Sequence, residues 1–364
     1  MNEVAAKRPG DSRFEKRFLF SSDPALRERF INFFGDLRFG ILLEEMDSAA
    51  GVVAYDHTDG FDKDLTIVTA ACDRIELLCP LQSDRDLRIL GQVNYVGRSS
   101  MEVGLQMESK TQRGWEAVAN AFFIMVARRE EGAFPVPPLR VEGEQEMRSW
   151  DEGRVRQGER RSQAKSHYLN KPPSAEESAL LHSLLRETEQ QSQKGVLMKD
   201  THRQATILMH PQNRNIHNKV FGGYIMRLSF ETAWSIAHIF SRRRPLFLAV
   251  DQFDFLKPVE IGSIVSFDGM VTFTGKTSYI IEVKAEVINP RNGTREITNI
   301  SYFTFVAADA AGQPRPVPAV LPRSYDEGLK FIDGRRRYHM VKAKRETASD
   351  TTPDETSDTP EEGA

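Results

Sequence analysis

The fold is decided by the stretch Asn213-Arg214-Asn215-Ile216-His217-Asn218-Lys219-Val220-Phe221-Gly222-Gly223 and by the apolar segment 224–240 that follows it. The first part predicts a polar loop, and the glycine pair predicts the start of a helix. Apolar residues then recur around more than half of the helical wheel, which is typical of a helix buried on most sides. These residues are Ile225, Leu228, Trp234, Ile236, Ala237, Ile239 and Phe240.

A helix that begins with two glycines can present its first backbone N–H groups to a ligand. These groups have no partner within the helix, they lie at the positive end of the helix dipole, and no Cβ atom shields them. A carbonyl or phosphate oxygen could therefore approach Gly222 and Gly223 closely. Equally, the glycines could allow close packing of the helix against a sheet. The glycine pair alone leaves both interpretations open.

An internal repeat divides the chain into two similar halves. Four landmarks of the first half return 178 residues later, in one register and without a gap. Such a repeat predicts two tandem copies of one domain. The landmarks are Asp73, Pro80, Gly91 and the turn Gly97-Arg98-Ser99-Ser100, which correspond to Asp251, Pro258, Gly269 and the turn Gly275-Lys276-Thr277-Ser278.

The sequence pattern of each copy predicts one helix followed by antiparallel strands. The helices are expected over 39–53 and 222–240, and apolar residues that alternate over 265–273 and 279–287 are typical of strands with one buried face. A helix that is apolar nearly all round, followed by such strands, predicts a sheet wrapped around the helix. The predicted fold class is therefore α+β, with two tandem domains.

The chain is expected to divide into six segments. Between the two copies, prolines and many charges predict a linker with one short helix, capped by Ser174 and Glu177. The last segment is acidic and almost free of apolar residues, which predicts disorder. The segments are 1–17 at the N-terminus, 18–130 for the first domain, 131–200 for the charged linker, 201–310 for the second domain, 311–346 for a C-terminal extension and 347–364 for the tail.

Composition and charge narrow the class of protein. With 40% apolar and 28% charged residues, the chain has the composition of a soluble globular protein, and its formal net charge of −3 argues against a nucleic-acid partner. Apolar runs fall short of the ~18 residues that a membrane span requires. No secretory signal is recognised, and Cys72 and Cys79 lack partners at zinc spacing. Buried thiols in a reducing, intracellular compartment are therefore expected.

Several motifs stand around the glycine pair and at the start of the first copy. They are His210-Pro211-Gln212, Asn215 with Phe221-Gly222-Gly223, Val250-Asp251-Gln252-Phe253, Lys257-Pro258-Val259-Glu260-Ile261-Gly262-Ser263, and Arg38-Phe39-Gly40-Ile41-Leu42-Leu43-Glu44-Glu45-Met46-Asp47. Together they resemble hotdog-fold acyl-coenzyme A thioesterases, in the double-hotdog branch that includes mitochondrial enzymes. The resemblance covers roughly residues 18–335 and is more specific in the second copy.

The resemblance implies an enzymatic activity and a cellular compartment. It implies hydrolysis of an acyl-coenzyme A (acyl-CoA) substrate to a carboxylic acid and coenzyme A, without a metal or an organic cofactor. It implies a mitochondrial location, with the cytoplasm as the alternative. A homo-oligomer is also expected.

The resemblance further implies where the acid of the site lies. In hotdog thioesterases the acid stands seven residues after the second glycine of the helix start. Counted from Gly40, that position is Asp47, whereas the second copy has Phe230 there and Glu231 one residue later. One residue turns a side chain by about 100° around a helix. We therefore predict one working site, which contains Asp47, and an inactive second one, which contains Glu231.

The working site would lie between the domains. Asp47 would attack the thioester or activate water, Asn215 would orient that water, and the Gly223 N–H would stabilise the oxyanion. From the residues alone, Asn215 could instead be an ordinary turn residue. Asp47 could likewise be a solvated acid that merely favours the dipole of its helix.

Coenzyme A also requires a phosphate-binding group. The two matching turns carry a cation and hydroxyls, which suit the phosphates, and an ordinary hairpin turn is the alternative. The candidate residues are Arg98, Ser99 and Ser100 in the first copy and Lys276, Thr277 and Ser278 in the second.

Two other functions stay open from the sequence. A hotdog hydratase or dehydratase would use a catalytic His, for which His217 is available near the site. A non-catalytic acyl-CoA binding or regulatory protein is the other alternative, since the second copy lacks the acid at the expected position.

Overall fold

The computed structural model describes residues 5–58, 64–73, 75–163, 172–190, 194–215, 219–251 and 253–349. Within these ranges, no helix combines the length and the apolar character needed to cross a membrane.

The first copy and the segment before it supply the strands β1 to β7 and the helices α1 and α2. In chain order these are β1 (Phe14–Phe18), α1 (Pro24–Phe30), α2 (Phe39–His57), β2 (Thr66–Cys72), β3 (Ile75–Leu77), β4 (Leu87–Val96), β5 (Ser100–Thr111), β6 (Gly114–Arg129) and β7 (Gly132–Ala133).

The connecting region and the second copy supply the remaining elements. They are α3 (Glu144–Gln163), α4 (Ala175–Glu189), β8 (Val196–Leu197), β9 (Arg203–Leu208), α5 (Gly222–Ser241), β10 (Arg244–Val250), β11 (Phe253–Asp254), β12 (Ile264–Thr274), β13 (Ser278–Ile288), β14 (Arg295–Ala308), β15 (Val320–Leu321) and α6 (Tyr325–Ser349). The predicted α+β fold with two tandem copies of a helix and an antiparallel sheet is confirmed.

Strands of both copies join in one sheet. Its main path, within the described part of the chain, runs β1-β4-β5-β6-β3-β10-β14-β13-β12-β9. The copies meet in two antiparallel pairings, of β3 with β10 and of β11 with β2. Each copy thus lends a short strand to the other. Backbone hydrogen bonds therefore fix the position of one domain against the other.

The repeat extends to irregularities of the strands. In β2 the pairing register shifts between Thr69 and Ala71, and in β10 it shifts between Phe247 and Ala249, which are the same positions in the two copies. Such bulges change the direction of neighbouring side chains. The side chains at the bulges, Thr69 in β2 and Phe247 in β10, therefore face α2 and α5, respectively.

Helices α2 and α5 pack against the sheet and against each other. On α2, Leu42, Leu43, Met46 and Ala50 are fully buried, as expected for a helix covered on most sides. The same expectation is only partly right for α5, because Ile239 is 50% exposed. The sheet covers one side of α5 and α2 covers another, so a third side remains open to solvent.

The region predicted as a linker with one short helix contains two helices. Helix α3 packs on the first copy because Arg156 and Arg160 bind the buried carboxylate of Glu102, at N···O distances of 2.7 and 3.0 Å. In the second copy Arg337 of α6 binds Asp251 at 2.8 Å. The expectation of a single short helix was therefore wrong, because Arg156 and Arg160 of α3 face a buried acid of the first copy and not solvent.

Three smaller predictions have mixed outcomes. The cap of α4 is confirmed, since Ser174 and Glu177 bond reciprocally at its start. Cys72 is buried as expected, but Cys79 is exposed. The predicted disordered tail begins inside α6, which continues to Ser349, and its remainder lies outside the described residues.

Candidate active site

Asp47 is buried at the contact between the two domains. Its side chain belongs to α2, and the residue is only 1% exposed. Asp47 Oδ2 accepts a hydrogen bond from the Gly223 N–H at the start of α5, at 2.6 Å. Asp47 Oδ1 accepts one from the Thr69 hydroxyl of β2, also at 2.6 Å. The predicted acid and the predicted N–H donor are thus brought together, one from each copy.

The glycine pair makes this contact possible. A Cβ atom placed on Gly223 would lie 2.9 Å from the Glu44 Cα and 3.0 Å from the Asp47 Cβ, and one placed on Gly222 would lie 3.2 Å from Asp47 Oδ2. Distances near 3 Å leave no room for a side chain. The glycine pair therefore allows α5 to pack closely on another helix, α2, and not on the sheet as expected, and it brings the Gly223 N–H to the Asp47 carboxylate. Binding of a ligand oxygen by this N–H stays a prediction.

Burial changes the acidity of Asp47. It raises the pKa of Asp47 from 3.8 to about 6, although the hydrogen bonds from Thr69 and Gly223 oppose the rise. The nearby Glu44 carboxylate adds a small further rise. A carboxylate whose pKa approaches neutrality is a better base than an ordinary one. With a pKa of about 6, Asp47 is mostly ionised at neutral pH, and its role as a base stays a prediction.

Thr69 is a residue of this site that the sequence analysis missed. It holds one carboxylate oxygen of Asp47 and leaves the other directed at Gly223. A threonine in a strand is ordinary, so its own position carries no signal. The signal lies in the repeat, because the corresponding residue 178 positions later is Phe247.

The corresponding position in the second copy is filled with aromatic rings. Phe230 takes the place of Asp47, and Phe247 takes that of Thr69. The Phe230 and Phe247 rings lie 5.2 Å apart, and Phe39 stacks on Phe247 at 4.5 Å. Phe305 adds a fourth ring, 5.8 Å from Phe247. No carboxylate or hydroxyl from these positions is available for chemistry.

Glu231 takes part in an ion-pair network. It pairs with Arg38 and with Arg227, whose Nε lies 3.2 Å away, and Arg227 also binds Glu44 at 3.1 Å. Two of these pairs join the two copies, Arg38 at the start of α2 with Glu231 of α5 and Arg227 of α5 with Glu44 of α2, while the pair of Arg227 with Glu231 lies within α5. The Glu231 carboxylate is therefore engaged in holding the helices together.

Asn215 lies on the loop before α5. Its Oδ1 accepts a hydrogen bond from the Lys219 N–H at 3.1 Å, and its own N–H donates to the Lys219 carbonyl at 2.7 Å. These bonds close a polar loop that leads to Gly222, as predicted. The role of Asn215 in orienting water stays a prediction. Residues 216–218, which include His217, lie outside the described residues.

The two predicted coenzyme A turns are hairpin turns of the same shape. The Gly97 N–H donates to the Ser100 carbonyl at 2.7 Å, and the Gly275 N–H donates to the Ser278 carbonyl at 2.8 Å. Arg98 is exposed at the tip of the first turn. The binding of coenzyme A by Arg98, Ser99, Ser100, Lys276, Thr277 and Ser278 stays a prediction.

Strand pairing places the two turns beside different sites. In the first copy Met101, just after the turn, pairs with Met125, which pairs with Thr69. In the second copy Tyr279 pairs with Phe305, which pairs with Phe247. Neighbouring strands lie about 4.8 Å apart, so each turn is about 10 Å from its bulge residue. The first turn is thus next to Asp47, and the second is next to the aromatic cluster.

The chain is similar to known thioesterases over most of its length. Residues 34–116 and 217–293 match the family model described as "Thioesterase superfamily". Human mitochondrial acyl-coenzyme A thioesterase 9 is 32% identical over 351 residues, which are 92% of this chain and 79% of that protein. The chloroplastic acyl-coenzyme A thioesterase 2 of Humulus lupulus is also 32% identical, over 91% of this chain and 81% of that protein.

A cytosolic relative and a solved structure are also similar. The cytosolic acyl coenzyme A thioester hydrolase of Mus musculus is 24% identical over 88% of this chain and 83% of that protein. A solved acyl-CoA hydrolase from Staphylococcus aureus, in complex with butyryl coenzyme A and coenzyme A, is 29% identical, with a TM-score of 0.40 over 43% of this chain and 94% of that chain.

Proposed function

Because the chain belongs to the acyl-coenzyme A thioesterase family, we propose that it hydrolyses acyl-CoA at a single site built from both of its hotdog domains. The first domain supplies Asp47 and Thr69, and the second supplies Gly223 and Asn215. The products are a free carboxylic acid and coenzyme A.

The contact between Asp47 and Gly223 carries this proposal. Asp47 is an ionisable group with 1% exposure, and burying it without a cation partner costs free energy. Its only hydrogen-bond donors among the described residues are Thr69 and Gly223. Groups that are buried at such a cost and have a perturbed pKa cluster at functional sites.

The proposed reaction gives Thr69, Asp47 and Gly223 separate parts. Thr69 holds Asp47 Oδ1, so Oδ2 is the oxygen that either attacks the thioester carbon or takes a proton from water. In this structure the Gly223 N–H donates its hydrogen bond to Asp47 Oδ2. As negative charge develops on the substrate carbonyl oxygen, that N–H passes from the carboxylate to the new oxyanion.

Replacing the acid tests the proposal. Asp47→Asn keeps the shape of the side chain and removes the base, so turnover should fall by about two to four orders of magnitude, measured as thiol release from acyl-CoA. Glu231→Gln is the matched control and should keep most of the activity. If Glu231→Gln abolishes turnover and Asp47→Asn does not, the acid has been assigned to the wrong copy.

Location in mitochondria is proposed from the relatives. The human and bovine proteins that are 32% identical to this chain are both named mitochondrial. The alternative, the cytoplasm, is supported by the murine cytosolic relative at 24% identity. Fractionation of cells that express the tagged chain distinguishes the two compartments, and recovery with cytosolic markers alone would exclude the mitochondrial proposal.

Self-association is proposed from an exposed aromatic surface. Phe33 is 73% exposed and Ile239 is 50% exposed, and Phe34 and Trp234 contact Phe33 at ring distances of 4.1 and 5.8 Å. Large apolar groups that lie together on a surface are typical of protein interfaces. Light scattering after size exclusion should show an oligomer for the wild type and a smaller species for Phe33→Ser. A monomeric wild type would contradict the proposal.

A further inference from the structure

A polar pocket opens beside the acid site. It has a volume of about 670 Å³ and lies between β1, α1, the first half of α2 and the start of α5. Volumes of this size are typical of small-molecule sites. The pocket offers space that the contacts of Asp47 with Thr69 and Gly223 do not use.

The pocket adjoins the acid site along two elements. Glu44 and Ser48 line it, and they flank Asp47 in the sequence of α2. Phe221 also lines it and directly precedes the two glycines whose N–H group contacts Asp47. Asp47 itself is buried and does not line the pocket, so the pocket is a neighbouring space and not a part of the acid site.

The charges around the pocket do not balance. Three cations are matched by three acids: Lys16 binds Glu45 at 2.5 Å, Arg38 binds Glu231, and Arg227 binds Glu44 at 3.1 Å. The fourth cation that lines the pocket is Arg29 of α1. Within the described residues Arg29 has no hydrogen bond or ion pair, and it is exposed. One positive charge at the pocket is thus left for a ligand.

We propose that this pocket receives an anionic end of the acyl-CoA substrate and that Arg29 binds it. The proposal rests on the proposed thioesterase function and adds to it a subsite and a recognising residue. Two parts of a substrate have the required chemistry, the phosphates of coenzyme A and a carboxylate at the far end of a dicarboxylic acyl group. A guanidinium binds either of them with two parallel hydrogen bonds.

Steady-state kinetics with three substrates test the proposal. They are a straight-chain acyl-CoA, the N-acetylcysteamine thioester of the same acid, which lacks phosphate, and the dicarboxylic acyl-CoA of the same length. Arg29→Ala should raise KM about two- to fivefold with kcat nearly unchanged, and the effect should shrink as salt is added, because an exposed ion pair is worth up to about 1 kcal/mol. Arg29→Glu should raise KM further.

The pattern over substrates identifies the anionic group. If Arg29 binds phosphate, both CoA substrates are affected and the N-acetylcysteamine thioester is not. If Arg29 binds the acyl carboxylate, the dicarboxylic acyl-CoA alone is affected. Arg27→Ala and Arg27→Glu, on the same short helix but outside the pocket lining, are the matched controls.

The proposal is overturned if the Arg29 variants change KM no more than the Arg27 variants do for every substrate. This outcome is distinguishable from failure of the proposed function. If the proposed function fails, Asp47→Asn keeps its activity on the phosphate-free thioester, whatever the Arg29 variants do.

Discussion

Asp47→Asn should make the protein more stable while it removes the activity. The pKa of Asp47 rises from 3.8 in an unfolded chain to about 6 in the folded one, chiefly because the carboxylate is buried. Each pKa unit is worth about 1.4 kcal/mol, so the ionised carboxylate lowers the free energy of unfolding by about 3 kcal/mol. An asparagine carries no such cost. Its oxygen can accept from Gly223 and its amide can donate to the Thr69 oxygen.

The size of the stability difference between the variant and the wild type depends on pH. Between about pH 4 and pH 6 the folded state binds the Asp47 proton more strongly than the unfolded state does, so ionisation lowers stability as the pH rises. The advantage of the variant should therefore be near zero at pH 4, grow up to pH 6 and stay at up to about 3 kcal/mol above it. Groups that do not interact with Asp47 titrate equally in both proteins and cancel from the difference.

Urea denaturation of wild type and variant at pH 4.5 and pH 7.5 measures this difference. Glu231→Gln is the control, and because its carboxylate is partly exposed its effect should stay within about 1 kcal/mol at both pH values. A variant that is no more stable than wild type at pH 7.5 would refute the reasoning, as would an advantage that is the same at both pH values. Either result would mean that burial does not govern the pKa of this carboxylate.

Three further predictions concern activity. The ratio kcat/KM should rise with pH through about 6, where Asp47 ionises in the free enzyme, and Thr69→Val should move this rise to higher pH because it removes a hydrogen bond that favours the carboxylate; an unmoved pH profile would contradict the role of Thr69. Gly223→Ala should lower turnover by at least about tenfold and destabilise the protein by about 1–3 kcal/mol, since its Cβ would lie about 3 Å from α2; circular dichroism and urea denaturation check that the variant is folded. Arg98→Ala should raise KM for acyl-CoA several-fold at low salt, while Lys276→Ala, beside the aromatic cluster, should not; equal effects of both would contradict a single working site.

Much of the fold could be predicted because the two copies repeat one pattern. The alternation over β12 and β13 and the turns at Gly97 and Gly275 are local features, and local features appear directly in the sequence. Helix α3 could not be predicted in the same way. Its charges are typical of a solvated segment, and only the folded chain shows that Glu102 lies buried beneath two of its arginines.

The site was predictable to the extent that the resemblance to hotdog thioesterases supplied a spacing. Counted from Gly40, that spacing selected Asp47, which the structure places against Gly223, and the catalytic role of Asp47 stays a prediction. The contact of Thr69 with Asp47 depends on how a bulged strand faces a helix, and no spacing within one element contains that information. The exposed Ile239 shows a similar limit of the sequence. The distribution of apolar residues around a helical wheel does not show how many elements pack against the helix.

The covalent union of the two domains permits what a symmetric dimer forbids. In a pair of identical chains every substitution is made twice, so a phenylalanine in place of the acid would remove both acids at once. Here Phe230 and Phe247 fill one half of the interface, and Asp47 and Thr69 keep the other. The half with Phe230 and Phe247 can thus stabilise the interface, while the half with Asp47 and Thr69 keeps the groups for the reaction. The aromatic cluster stabilises the same interface in which the buried carboxylate is a cost.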